Sequence, residues 1–382
     1  MTILVVPSWY KTESNQILGS FFREQAMMLK EKGQDVIVAD ATFQGRADYF
    51  SKRCFKLKKY DDEGLLTYSY VVPAFGAFKT KDGGSQRYYK NLKKIYHKII
   101  SDGHKIDVIH AHSYLPAGIA AVRLGKEKHI PVIVTEHASA VLEKQLSAER
   151  ISLLKEVVAE AKSFICVSRA LKNSVQQLTD GIGEPLIIPN AVDRRFKYMK
   201  ENHLEEFTFI SIGNLVRSKR FDLTIEAFAL AFRGKNNVKL RILGDGILRK
   251  ELEELAVKCG IENQVTFTGR VPRESVVKEL QAAKVFVLPS DYETFGVVYI
   301  EAMACGLPVI GTKNGGAEDI ILEENGYLIE KNNIEQLTQA MQELYQEYER
   351  FDKTQIAMQC EQRFGEENIS EQLLKLYMQC VQ

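Results

Sequence analysis

The sequence predicts an α/β protein with two doubly wound domains, and three observations support this prediction. The chain has 382 residues, enough for two domains with a core each. Short apolar runs alternate with helical patterns, which is typical of parallel sheets covered by helices on both faces. This alternation occurs twice, on either side of a polar and charged stretch at 189–206, where we expect the domain boundary.

The elements follow in order from the first residues. The apolar run at 2–7 is too short for the core of a signal peptide and has no charged segment before it, so it is predicted to be a first strand. The predicted strands are 2–7, 35–40, 107–111, 131–135, 163–167 and 185–189, then 207–212, 238–243, 265–268, 284–288 and 308–311. The predicted helices are 19–33, 86–100, 115–128, 150–162, 222–233, 247–258, 273–283 and 296–304, followed by an amphipathic tail helix at 366–382.

Composition narrows the class of protein. The six cysteines are widely scattered and form no CxxC pair or zinc spacing, so we expect reduced thiols in a cytoplasmic protein. They are Cys54, Cys166, Cys259, Cys305, Cys360 and Cys380. No segment approaches the roughly 18 apolar residues of a membrane span. The protein is therefore expected to be soluble or at most peripheral to a membrane.

Charge is divided unevenly along the chain. Residues 1–200 carry a net charge of +10 and residues 201–382 carry −9, which suggests different neighbours for the two domains. The stretch 84–105 has apolar residues at a helical period and a second face bearing Arg87, Lys90, Lys94 and Lys98. This pattern fits either a core helix with a solvated basic face or a helix that docks on an anionic membrane.

Three loops in the second half have the chemistry of an anion site. Ligands of open α/β sheets bind beyond the carboxyl ends of strands. There the sequence places a Gly213 turn followed by three basic residues, a glycine pair beginning at Gly244, and a helix start at 295–297 with free N–H groups. Together they indicate a phosphate or diphosphate. Each basic or glycine loop alone could be only a surface turn, and 244–249 is not a dinucleotide fingerprint, because Arg249 replaces the third glycine.

Two acids, Glu293 and Glu301, bracket this helix start. Eight residues of helix would separate them by about 12 Å along the axis and about 80° around it, so they cannot share one metal ion. They could be a capping acid and a paired surface acid. However, Glu301 lies in an apolar helix, where an unpaired charge is costly. Since carboxylates accept hydrogen bonds from hydroxyls and repel phosphate, the arrangement suits a nucleotide sugar. A metal-binding triplet at 291–293 is disfavoured, because the basic loop already supplies positive charge.

These motifs resemble the family-4 glycosyltransferases of GT-B fold. The resemblance is carried by Glu-x7-Glu in PSDYETFGVVYIEAMACGLPVIGTKNGGAEDII, by GNLVRSKRFD, LGDG, TGRV and ENGYLI, and in the first half by PSWYKTESNQILGSFFREQAMMLKEKGQDVIV, TEH and IPNAVD. It implies two Rossmann-like domains facing an inter-domain cleft, with the tail helix crossing back onto the first. The expected domains are 1–192 with 366–382 on the acceptor side, and 193–365 on the nucleotide-sugar side.

The resemblance also implies roles for individual residues. It implies that Lys219 binds the diphosphate, Glu293 holds hydroxyls of the transferred sugar, and Glu301 binds the ribose. Backbone contacts to phosphate are implied for Phe295, Gly296 and Val297, and contacts to the base for Arg270 and Val271. Gly213, Gly244 and the first-domain residues Gly19 and Ser20 complete the implied donor site, and His137 is implied to face the sugar.

The sequence departs from the family pattern at one position, and the roles of the other histidines are less well defined. Asn214 stands where the family often has an arginine after the glycine of the first loop, and either Arg217 or Arg220 could replace that arginine. His110 and His112 end a predicted strand and could be structural or contact the acceptor. The other histidines, His97, His104, His129 and His203, are expected at the surface.

The resemblance implies a hexosyltransferase that retains anomeric configuration and uses no cofactor or metal. We expect a nucleotide-sugar donor, with UDP inferred at family level, and a glycan or lipid-linked acceptor in bacterial surface polysaccharide or glycoconjugate synthesis. Nucleic acid is not an expected partner. The alternatives are a nucleotide-sugar 2-epimerase of the same architecture and a nucleotide-sugar binding protein without catalysis, whereas the missing third glycine disfavours an NAD-dependent dehydrogenase.

Overall fold

The computed structural model describes residues 1–15, 18–45, 54–200 and 206–381. The chain divides into two compact units, unit 1 being Met1–Pro189 with Ile369–Gln382, and unit 2 being Asn190–Asn368. Each division lies three residues from the boundary expected from the sequence, at 192/193 and at 365/366. Part of the predicted linker, 201–205, lies outside the described residues.

Unit 1 is built on an eight-stranded sheet. The strands of this sheet are β1 (Thr2–Pro7), β2 (Asp35–Asp40), β4 (Lys58–Asp62), β5 (Leu65–Ser69), β7 (Val108–His112), β8 (Val132–Glu136), β9 (Ser163–Cys166) and β10 (Leu186–Ile187). Two further strands, β3 (Phe43–Gln44) and β6 (Val72–Pro73), form a separate pair. The sheet order is β10-β9-β8-β7-β1-β2-β5-β4, and only β4 runs antiparallel to its neighbour. The two inner strands β7 and β8 are buried at every residue, as continuous apolar strands of a covered parallel sheet should be.

In the described part of residues 1–189, six α-helices accompany this sheet. They are α1 (Ser20–Glu31), α2 (Ser85–Ser101), α3 (Ile119–Lys128), α4 (Ser139–Leu142), α5 (Ala148–Glu160) and α6 (Arg169–Leu178). Serine side chains cap two of them, since Ser147 accepts from Arg150 N and Ser168 accepts from Leu171 N. Such caps satisfy backbone N–H groups that the first helical turn leaves without partners.

Unit 2 repeats the pattern around an entirely parallel six-stranded sheet. Its strands are β11 (Phe207–Ile212), β12 (Val238–Leu243), β13 (Val265–Gly269), β14 (Val285–Leu288), β15 (Val309–Thr312) and β16 (Gly326–Ile329), in the order β13-β12-β11-β14-β15-β16. Its helices are α7 (Phe221–Phe232), α8 (Arg249–Lys258), α9 (Arg273–Gln281), α10 (Val297–Ala304), α11 (Ile334–Gln346) and α12 (Lys353–Phe364). The two predicted doubly wound α/β domains are therefore confirmed.

The register of the second sheet brings together the three loops that the sequence predicts as an anion site. Strand β11 pairs with β12 residue for residue, from Phe207 opposite Val238 to Ile212 opposite Leu243. Gly213 and Gly244 therefore leave the sheet side by side. On the other flank β11 pairs with β14, which leads into the loop before α10. All three loops begin at the carboxyl edge, where parallel sheets bind ligands.

The last helix, α13 (Glu366–Val381), returns to unit 1 for most of its length. Ile369, Leu373, Leu376 and Tyr377 are buried, and the Tyr377 hydroxyl lies 2.7 Å from Nδ1 of His110. Burying a large aliphatic side chain contributes about 1.5–3 kcal/mol, so the buried face of this helix fastens it to the unit.

Two further features bear on the class of protein. The six cysteines are free thiols, four of them buried. Within the described ranges, no helix combines the length and apolar character needed to cross a membrane.

Candidate active site

An ion pair between Lys219 and Glu293 lies at the carboxyl edge of the sheet in unit 2. Lys219 ends a short turn after β11, and its Nζ donates to Oε1 of Glu293 at 2.5 Å. The same oxygen accepts from the Ser290 hydroxyl at 2.9 Å. The two loops are also tied through their backbones, because Asp291 N donates to Ser218 O at 2.8 Å. The structure thus brings together the residues predicted for the diphosphate and for the transferred sugar.

The neighbouring arginines differ in what they bind. Arg220 has a left-handed backbone at φ 53°, precedes α7, and donates to Asp222 at 3.0 Å with Asp291 at 3.5 Å. Arg217 and Asn214 are exposed. In the described part of the chain, no carboxylate lies within ion-pairing distance of Arg217, so its charge is available for an anion.

The glycines predicted as phosphate contacts are required first by packing. Gly244 has φ 135°, and a Cβ there would lie 1.8 Å from the carbonyl oxygen of Gly213. A Cβ on Gly246 would lie 2.4 Å from the carbonyl oxygen of Leu215. The loops after β11 and β12 therefore pack backbone against backbone, and this close approach is sufficient reason for the glycine pair.

The start of α10 is fixed in the same manner. Gly296 precedes the helix with φ 98°, and a Cβ on it would lie 2.5 Å from the ring of Tyr299. Phe295 is buried, and its carbonyl approaches Gly316 so closely that a Cβ there would lie 2.2 Å away. The Tyr299 hydroxyl donates to Leu288 O at 2.6 Å, which ties the helix to β14. A rigid helix N-terminus beside Lys219 and Glu293 is a suitable anion site.

Glu301 is buried about one turn into α10 and forms an ion pair. Its side chain is 2% exposed, and its Oε1 lies 2.7 Å from Nη2 of Arg273 at the start of α9. A paired acid was one of the alternatives predicted for this position, but Arg273 was not predicted as its partner. Arg270, exposed, and Val271, half-buried, immediately follow β13 and lie just before α9, so the segment predicted to meet the base also carries the partner of Glu301.

In unit 1 the glycine loop introduces α1. Gly19 has φ 73°, and a Cβ there would lie 2.9 Å from the carbonyl oxygen of Trp9. Ser20 is the first residue of the helix. The rings of Phe21 and Phe22, which follow directly, lie 5.1 Å and 5.3 Å from the ring of His137. The loop and the histidine predicted to face the donor are therefore neighbours.

His137 belongs to a row of three buried histidines. Nε2 of His137 lies 3.2 Å from Nδ1 of His112, and the rings of His112 and His110 are 4.4 Å apart. His110 is bonded at both ring nitrogens, to Thr135 at 2.8 Å and to Tyr377 at 2.7 Å. Burial lowers the pKa of His110 and His137 to about 3, and that of His112 well below its ordinary value. All three side chains are neutral at physiological pH.

Glu136 orders the loop that carries His137. It is fully buried and accepts backbone N–H bonds from His137 at 2.8 Å, Ala138 at 2.6 Å and Tyr114 at 2.8 Å. Burial raises its pKa, and these three bonds oppose the rise. Glu136 belongs to the TEH motif, and although its role was not predicted, an acid at the end of a buried strand was a signal for one.

The remaining histidines divide between surface and interior. His97 and His129 are exposed as predicted, whereas His104 is half-buried with its ring 6.2 Å from that of Tyr68. His203 lies outside the described residues. His110 and His112 are inaccessible, which favours the structural alternative for both.

The predicted basic helix is α2, and some of the four basic residues on its predicted face bind other groups of the protein. Arg87 is half-buried and donates to Pro73 O at 2.8 Å, while Lys98 pairs with Asp102 at 2.5 Å. Lys90 and Lys94 are exposed, and Lys94 lies 4.2 Å from the ring centroid of Tyr70. The predicted apolar face is less complete than expected, because Ile100 near the end of the helix is 42% exposed.

Among the residues the structure describes, no group of three or more His, Cys, Asp or Glu side chains is arranged to hold a metal ion.

Comparison with known proteins places the chain in a family. The model for glycosyl transferases group 1 matches residues 193–358, and that for glycosyltransferase family 4 matches residues 18–196. An uncharacterised glycosyltransferase of Methanocaldococcus jannaschii is 32% identical over 261 residues, which are 67% of this chain and 70% of the relative.

Solved structures share the fold over nearly the whole chain. Sucrose-phosphate synthase from Thermosynechococcus elongatus has a TM-score of 0.80 at 22% identity and covers 99% of both chains. The Anabaena protein HepE, solved with UDP and glucose, has a TM-score of 0.76 at 18% identity and covers 99% of this chain and all of its own. These solved structures show the GT-B fold, and the two family models with the archaeal relative show that the chain is a hexosyltransferase belonging to the group 1, family-4 glycosyltransferases.

Proposed function

We propose that this enzyme transfers a sugar from a nucleoside diphosphate sugar, with uridine as the base, to a hydroxyl acceptor and retains the anomeric configuration. The observation that carries the proposal is the Lys219–Glu293 pair beside the start of α10. A cation suited to phosphate and an acid suited to sugar hydroxyls meet at the carboxyl edge of a parallel sheet. The complex of the structurally similar HepE with UDP and glucose supports the choice of donor.

The leaving diphosphate would be stabilised by positive charge already in place. Lys219, the exposed Arg217 and the N-terminus of α10 supply that charge without a metal ion. Donor binding would move Lys219 from Glu293 to the phosphate, so the Glu293 carboxylate becomes available to sugar hydroxyls. No side chain is proposed as a covalent nucleophile. The leaving phosphate oxygen accepts the proton of the attacking hydroxyl on the same face of the sugar.

For unit 1 we propose contacts to the donor by Gly19, Ser20 and His137. Because burial holds the His137 pKa near 3, the imidazole would act as a neutral hydrogen-bonding group toward the sugar, not as an acid or base. Its bond with His112 at 3.2 Å orients the ring.

The proposed acceptor is a glycan or lipid-linked molecule at an anionic membrane surface, used in surface polysaccharide or glycoconjugate synthesis by a cytoplasmic enzyme. A basic and apolar surface of unit 1 supports this placement. Phe55 and Phe75 are 60% and 66% exposed, and both flank the segment 70–74 against which Lys94 and Arg87 lie. Anionic lipid would attract the lysines while the aromatic rings enter the interface.

Vesicle binding tests the membrane component separately. The protein should sediment with vesicles containing anionic lipid, and salt should weaken this binding because it screens the surface charges. Phe75→Ser should reduce sedimentation, whereas Leu230→Ser, which alters an equally exposed side chain of unit 2, should not. Equal partitioning to neutral and anionic vesicles would rule out this placement.

Product analysis tests the reaction itself. The enzyme is incubated with UDP-glucose, UDP-galactose or UDP-GlcNAc, with and without a membrane extract as acceptor source. We expect UDP release that the acceptor stimulates, and a product whose anomeric configuration, read by NMR, matches the donor. Conversion of UDP-GlcNAc to its 2-epimer without acceptor would instead identify the epimerase. The proposal would be contradicted if the protein neither bound a nucleotide sugar, nor turned it over, nor hydrolysed it slowly.

A further inference from the structure

Arg273 holds the carboxylate that we propose for the ribose. It is the first residue of α9, two positions after Val271, and its Nη2 lies 2.7 Å from Glu301 Oε1. The arginine side chain is 25% exposed and the glutamate side chain 2%. The pair therefore connects the partly exposed start of α9, next to the segment proposed to contact the base, with the buried face of α10.

The arginine is itself held in place. Its guanidinium carbon lies 4.6 Å from the ring centroid of Phe196, whose side chain is buried. A planar guanidinium stacked on an aromatic ring has one preferred orientation, which a lysine ammonium would not share. The positive charge also acts on Asp193. Burial opposes ionisation of that carboxyl, yet hydrogen bonds from Arg195, with the charges of Arg195 and Arg273, leave its pKa below its usual range.

We propose that Arg273 is a positioning residue for the nucleotide ribose, an inference that rests on the proposed function. The guanidinium offsets the cost of burying the Glu301 charge and fixes the plane of its carboxylate. A carboxylate in a fixed plane can accept hydrogen bonds from the vicinal hydroxyls of a ribose. Without Arg273 the same carboxylate would lose its orientation. The enzyme would then lose its preference for a ribose over a 2′-deoxyribose, while its contacts to the diphosphate would be affected less.

Removal of one ribose hydroxyl gives a readout that a purely structural ion pair would not affect. Calorimetry measures the affinity of UDP, GDP and ADP, each with its 2′-deoxy counterpart, for the wild type, R273Q, R273K and R241Q. Arg241 is the matched control, since it pairs with Glu279 of the same helix α9 at 2.7 Å. Thermal unfolding is followed in parallel, and R273K provides a charged variant if R273Q folds poorly.

We expect the wild type to bind its preferred diphosphate about tenfold or more tightly than the 2′-deoxy form, the range for a hydrogen bond to a charged group. In R273Q this ratio should fall below about twofold, in R273K it should be intermediate, and in R241Q it should match the wild type.

Three outcomes would overturn the inference. An unchanged ratio in R273Q would make the ion pair structural only. Tighter UDP binding by R273Q would make Arg273 a competitor of the ribose. If the wild type binds none of the three diphosphates, the proposed function fails, and this inference with it.

Discussion

The titratable groups at the two candidate sites, one in each unit, are held in opposite ways. In unit 1, His110, His112 and His137 pack together with no charged partner among the described residues, and burial lowers their pKa values, which keeps all three neutral. In unit 2, Glu293 and Glu301 each lie against a cation, at 2.5 Å and 2.7 Å. A buried charge is tolerated only with a partner. In the proposed reaction, His137 of unit 1 would hydrogen-bond neutral hydroxyls, and the Lys219–Glu293 ion pair of unit 2 would open for an anionic ligand.

The largest effect should come from removing the cation of the pair with Glu293. Lys219→Gln should lower kcat/KM for the sugar donor about 100-fold, the cost of losing one preorganised group that stabilises developing negative charge. Steady-state kinetics with the donor measure this loss. Lys313→Gln, which breaks the exposed pair with Glu330, is the control and should turn over normally. A Lys219→Gln enzyme with wild-type kcat/KM would show that the pair merely joins two loops.

Mild acid should destabilise the protein through the buried histidine row. Unfolded histidines bind protons below a pKa of about 6.5, whereas His110 and His137 in the fold do so only near pH 3. Between these values the unfolded state holds more protons, so the free energy of unfolding falls as pH is lowered, by at most about 1.4 kcal/mol per pH unit for each histidine.

Urea unfolding at pH 7 and pH 5 measures this fall. His110→Gln should reduce the difference between the two pH values, while His97→Gln, at an exposed position, should leave it unchanged. The pH profile of kcat should likewise lack an inflection near 6.5 assigned to His137. If the free energy of unfolding falls equally between pH 7 and pH 5 in both variants, the histidine row is not the source of the pH dependence.

Metal removal should have the smallest effect of all. Because Lys219, Arg217 and the start of α10 are proposed to supply positive charge to the diphosphate, activity should survive excess EDTA. The assay is UDP release before and after chelation. Complete loss of activity that Mn²⁺ or Mg²⁺ restores would show that these groups are insufficient.

The sequence predicted the sheets well but predicted the partners of buried charges poorly. Largely apolar runs such as 2–7 and 35–40 coincide with β1 and β2, because strands covered on both faces need no polar alternation. The hairpin of β4 and β5 was not predicted, since Lys58–Asp62 is charged and lies at the sheet edge, where charge protects against unwanted pairing. Such edge strands have little apolar signal to detect.

The site was predicted only as far as local motifs extend. Lys219 and Glu293 could be placed together because both follow strands that end at one edge of the sheet. Arg273 precedes Glu301 by 28 residues and approaches it from another helix, so no spacing rule pairs them. The neutral histidine row arises similarly from two neighbouring strands, with Tyr377 from the last helix. Burial and partners of this kind depend on tertiary packing.

The most direct test of the account is the affinity of UDP for Glu293→Gln and Glu301→Gln, measured by calorimetry beside steady-state kinetics. Glu301→Gln should weaken UDP binding by about 10- to 150-fold, the range for a hydrogen bond to a charged group. Glu293→Gln should bind UDP at least as well as the wild type, because Lys219 loses its internal competitor, yet its kcat should fall at least about tenfold. If both variants bind UDP and turn over like the wild type, the two carboxylates are structural and the account is wrong.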